Sequence, residues 1–73
     1  MPLVTVQAVE GVFSAAQKRK IIEQLTETMV AIEGESLRPY TWVKVEEVKE
    51  GDWGIGGKIL TCDVVRKLGA AEA

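Results

Sequence analysis

Side chains alternate along Leu3 to Val9, with Val4, Val6 and Ala8 on one side and Leu3, Thr5, Gln7 and Val9 on the other. A period of two, rich in β-branched residues, predicts a strand. Apolar residues on both sides predict a strand covered on both faces, ended by Glu10-Gly11. From about Ala15 to Glu33 the period changes. Ile21, Ile22, Leu25, Met29 and Ile32 fall on one helical stripe, with Lys18, Arg19, Glu23 and Glu27 opposite. Ser14 is placed to cap the start of this helix and Gly34 its end. After a short loop, Glu35 to Pro39, alternation returns over Tyr40 to Val48. Val43 and Val45 point one way, and Trp42, Lys44 and Glu46 the other. Two strands joined by a helical crossover predict parallel pairing with a right-handed connection. The helix then covers one face of the sheet. The other, carrying Leu3, Thr5, Trp42 and Val9, has nothing left in the chain to cover it, which points to partner subunits.

The segment Gly51-Asp52-Trp53-Gly54-Ile55-Gly56-Gly57 holds four glycines in seven residues and predicts a short hairpin or looped turn. It lacks the Gly-Lys-Ser/Thr ending of a phosphate-binding loop. Ile59 to Leu68 reads two ways: Ile59, Leu60, Val64, Val65 and Leu68 make an apolar face on a short helix, while Leu60-Thr61-Cys62 also suits an extended chain. Residues 1–73 read as a single domain, with 70–73 as a loose tail.

Size changes the picture. A chain of 73 residues buries only roughly 60% of the surface it exposes when unfolded. Small domains compensate with disulfides, metals or oligomerisation. One cysteine, Cys62, excludes an internal disulfide, and one Cys with no His makes a zinc or iron–sulfur site a poor fit. Oligomerisation remains, consistent with an apolar content of 47%. The net charge of −2 gives no electrostatic basis for nucleic-acid binding, and Lys18-Arg19-Lys20 reads as a solvated helix face. No stretch approaches the roughly 20 apolar residues of a membrane span, and no secretory leader is read at the N-terminus, so the expected location is cytoplasmic. Cys62, without a His to activate it, reads as a packing residue.

Pro2 is the candidate for chemistry. Removal of Met1 would make it a secondary amine at the chain terminus. An α-amino group titrates at roughly 7.7–8.0, and a dry pocket lowers that by disfavouring the ammonium form. General acid–base catalysis requires a carrier with such a pKa, and without histidine the chain offers no other neutral-pH base of comparable standing.

Pro2 behind Met1, Val9-Glu10-Gly11 closing the first strand, Ser14-x-x-Gln17-Lys18 opening the helix, Val43-x-Val45, and Gly51 to Gly57 together resemble the 4-oxalocrotonate tautomerase family, from Pro2 to about Lys58. The resemblance implies an α+β fold: a β-α-β subunit with parallel strands, a crossover helix and a short C-terminal hairpin, usually assembled as a hexamer. It implies catalysis by the N-terminal proline, which takes a proton from an enol or dienol acid and returns it at carbon. No metal or organic cofactor takes part. Trp53 stands where the family has its pocket aromatic.

The chain also departs from the pattern. Where the best-known members carry an arginine after the Glu-Gly, it has Val12-Phe13. Where a second arginine lies on strand two, ungapped counting gives Trp42. Lys44, two residues on, could supply a cation but not the planar fork that suits a carboxylate. Arg38, just before the strand, is a further candidate, although a solvated loop position also accounts for it. The substrate-binding set is therefore Trp53, Trp42, Lys44, Phe13 and Arg38, with Pro2 catalytic. Loss of two arginine contacts should cost orders of magnitude with a dicarboxylate dienol and favour an apolar or monoanionic substrate. The expected function is a tautomerase or isomerase for a small enolisable carbonyl or unsaturated acid. The alternatives are a non-catalytic or partner subunit of a mixed hexamer, and a hydratase or dehalogenase using an acid such as Glu46 or Asp52.

Overall fold

The fold follows the order strand, helix, strand, hairpin, helix, in a computed structural model that describes residues 2–71. Strand β1 spans Leu3–Val9, helix α1 Ala15–Glu33 and strand β2 Trp42–Val48. Strands β3 (Gly54–Ile55) and β4 (Lys58–Ile59) form the hairpin, and helix α2 spans Cys62–Ala71. β1 and β2 pair in parallel, with Leu3 opposite Trp42 and Val9 opposite Val48. The ladder continues beyond both ends, through Trp42 N–H to Pro2 O at 3.0 Å and Glu10 N–H to Val48 O at 2.8 Å.

Ser14 caps α1 through a reciprocal box: Gln17 N–H donates to Ser14 Oγ at 3.1 Å, and Ser14 N–H to Gln17 Oε1 at 2.8 Å. Gly34 closes the helix, its N–H on Val30 O at 2.8 Å. The buried stripe differs from the expected one. Val30 is the buried residue of α1, whereas Ile32 is 77% exposed. Ile32 shares its stripe with Leu25, seven residues earlier, but stands in the last turn of α1.

Three other differences are local. The segment Glu35–Tyr40, expected as a loop running into a strand at Tyr40, is a 3-10 helix, so β2 begins at Trp42. Arg38 ties this turn to α1 by bonding Glu27 and Glu35. The ambiguous stretch after the hairpin resolves into α2. Thr61 Oγ1 accepts from Val64 N–H at 3.3 Å and the Glu50 carboxylate from Cys62 N–H, so side chains satisfy two of the free amides of its first turn. Helix α2 runs to Ala71, so residues 70 and 71, expected in a loose tail, are helical; 72 and 73 lie outside the described residues.

The hairpin uses a two-residue connection, Gly56-Gly57, with φ of +57° and +84°. Positive φ at both central positions matches the twist of the flanking strands and suits glycine.

Among the described residues, only Ala8, Val9, Val30 and Leu60 are buried apolar side chains. The Cα radius of gyration is 14.9 Å, against about 11 Å for a compact chain of this length. Leu3, Thr5, Trp42 and Lys44 are exposed on the sheet face opposite α1, whereas Val9, expected bare on that face, is buried because the hairpin and α2 of the same chain close over the end of β1. No described helix is long and apolar enough to cross a membrane.

Candidate functional site

An apolar cavity of about 320 Å³ lies where the C-terminal end of β1 meets the hairpin and α2. β1 and the turn after it supply Val9, Val12 and Phe13; the hairpin region supplies Trp53, Ile55 and Leu60; α2 supplies Val65 and Leu68. Gln7 and Ala8 complete the wall. Leu60 anchors this corner, its N–H on Trp53 O at 2.7 Å and its O accepting from Gly51 N–H at 3.3 Å.

The turn at Gly11 holds Val12 and Phe13 in place. Gly11 has φ +86°, and its N–H donates to Glu47 Oε2 at 2.9 Å. A Cβ there would sit 3.5 Å from Cys62 Sγ, so α2 packs directly against the glycine. Glu47 also accepts from Lys18 Nζ. The Lys18 hydrogen bond, followed by that of the Gly11 amide, lowers the Glu47 carboxyl below its ordinary pKa.

Of the expected site residues, Phe13 and Trp53 meet in this cavity, joined by Val12. Trp42 and Lys44 do not line it. They lie on β2 opposite Leu3 and Thr5, toward the other end of the sheet. Lys44 Nζ pairs with Glu46 Oε1 at 2.7 Å, and this bond, with that of Gln7 amide to Glu46, lowers the Glu46 carboxyl below its ordinary range. Arg38 is committed to Glu27 and Glu35. Hydrogen bonds from its guanidinium depress both carboxyls, and theirs in turn raise its own pKa. Pro2 is half-buried at the start of β1, about 23 Å along the strand from Val9 at the rise of an extended chain.

Ile55, Leu60, Val65 and Leu68 also line the cavity, and none of them was an expected site residue. The apolar spacing of Val65 and Leu68 carried the signal, but it could be used only once the segment was known to be helical.

Comparison with known proteins bears on this arrangement. The profile of the Tautomerase family, described as tautomerase enzyme, matches residues 2–62. Among solved structures, a 4-oxalocrotonate tautomerase isozyme from Methylibium petroleiphilum is 28% identical with a TM-score of 0.70, covering 88% of this chain and 97% of its own. YwhB, a homologue of 4-oxalocrotonate tautomerase, is 33% identical at a TM-score of 0.69, covering 80% and 92%. DmpI from Helicobacter pylori is 25% identical at 0.66, covering 80% and 94%. No match was found among curated proteins. The parallel β-α-β unit, the glycine hairpin and the profile match agree: this chain belongs to the tautomerase family and is a tautomerase-type enzyme similar to 4-oxalocrotonate tautomerases.

Proposed function

We propose that the protein is a cofactor-independent tautomerase that moves a proton within a small enolisable carbonyl or unsaturated acid. Pro2, freed by removal of Met1, is its general acid–base. The neutral amine takes the enol hydroxyl proton while the oxygen's electrons form the carbonyl. The resulting ammonium returns that proton to the conjugated carbon, so the reaction balances without redox change. An apolar wall favours this cycle, because desolvation disfavours the ammonium and keeps the resting amine neutral.

The observation that carries this reading is the cavity walled by Phe13 and Trp53 in a chain of tautomerase fold. Pro2 and that cavity stand at opposite ends of β1, so a complete site takes Pro2 from one copy and Phe13 and Trp53 from another. The exposed sheet face bearing Leu3 and Trp42 supplies a surface on which copies can meet. The whole chain serves as one tautomerase-like domain of a homo-oligomer, a hexamer by the family pattern.

Intact mass measurement should show Met1 removed, and the processed protein should turn over phenylenolpyruvate. Pro2→Ala should reduce kcat by at least about 10²-fold, the low end of what a positioned acid–base contributes. Unchanged turnover in Pro2→Ala would overturn the assignment.

A further inference from the structure

We propose that Arg66 binds the carboxylate of a small monocarboxylate whose apolar body fills the cavity beside Val12 and Phe13. The proposal rests on the reading of that cavity as the substrate site and adds the chemical class it takes.

None of the residues lining the cavity is charged, and only Gln7 and Trp53 among them have a polar group on the side chain. An ionised group cannot be buried there without a partner. A cation of this chain that serves it stands at the rim, and three of the described cations are already engaged. Lys18 is held by Glu47, Lys44 by Glu46, and Arg38 by both Glu27 and Glu35.

Arg66 differs from all three. It belongs to the same turn of α2 as Val65 and Leu68, which line the cavity. Its Nη2 donates to Gly11 O at 3.1 Å, and Gly11 directly precedes Val12. Among the described residues no carboxylate pairs with it. One contact to a neutral carbonyl leaves most of the five N–H groups of a guanidinium unspent. The anchor is also firm. Gly11 is fixed by Glu47 on one side and by Cys62, one turn before Arg66, on the other. The guanidinium is thus held over the turn that carries Val12 and Phe13, with donors left to take a carboxylate in the forked geometry of arginine. A cation so anchored at the rim of an apolar cavity selects one carboxylate and an apolar remainder. A second carboxylate on the ligand would meet the uncharged wall.

Binding of trans-cinnamate, an unreactive monocarboxylate with an aromatic body, measured by calorimetry against the neutral cinnamamide, tests this. The full-length protein should bind cinnamate, and Arg66→Gln should weaken it at least about tenfold, with Arg66→Lys in between and cinnamamide unaffected. Lys20→Gln, the same charge change on the exposed side of α1, should leave cinnamate binding unchanged. Thermal melting checks that each variant is folded. The proposal is overturned if folded wild-type protein does not bind cinnamate, if Arg66→Gln binds it as well as wild type, or if Lys58→Gln rather than Arg66→Gln loses it. None of these readings depends on turnover, so the Pro2→Ala assay fails or succeeds separately.

Discussion

Glu47 joins parts of the chain far apart in sequence: it takes Lys18 Nζ from α1 and the Gly11 amide from the turn after β1. Both bonds favour the carboxylate, and its pKa is lowered in the folded protein. A carboxyl lowered on folding stabilises above its unfolded pKa of about 4.3 and loses that contribution as pH falls through the lower folded value. Glu47→Gln should therefore melt below wild type at pH 7, and the gap should close as pH is lowered past about 4. Equal melting temperatures at pH 7 would remove Glu47 from the account of this turn. Neither contact was legible in the sequence, where Glu47 is one of two adjacent acids on a strand. The same holds for Arg66. Sequence reasoning sought the substrate cation at Lys44 and Arg38, yet both sit among carboxylates, while Arg66 meets Gly11 only because α2 folds back onto it.

At the scale of elements, local signals carried far. The capping box at Ser14 follows from Ser and Gln three apart, and Ser14→Ala should lower unfolding free energy by about 1 kcal/mol. Denaturant titration measures this, and an unchanged midpoint would mean the cap is not what starts α1. Strand β1 matched its expected bounds because alternation is a property of the pleat itself. The stretch after the hairpin stayed ambiguous because a short apolar run suits helix and strand alike. Glu50 resolves it at Cys62 N–H, twelve residues from its own position, and bonds to Trp53 and Gly51 hold Leu60 just after the hairpin.

At the scale of the whole molecule, four buried apolar side chains among the described residues and an expanded outline leave this chain short of a self-sufficient core. Native mass spectrometry at micromolar concentration should give one homo-oligomer, a hexamer of this chain alone. A monomer, or assembly only with a second tautomerase-like chain, would replace the homo-oligomeric reading with the partner-subunit one. The shortage of interior could be read from length and apolar content, and so could the β-α-β order, the glycine turn and the interest of Pro2, since each depends on neighbours in sequence or on composition. The cavity could not be read this way. It joins the end of β1, the hairpin and one face of α2, and which side chains meet there depends on how those elements pack. Local periodicity determines elements; only their packing decides which of their faces share a site.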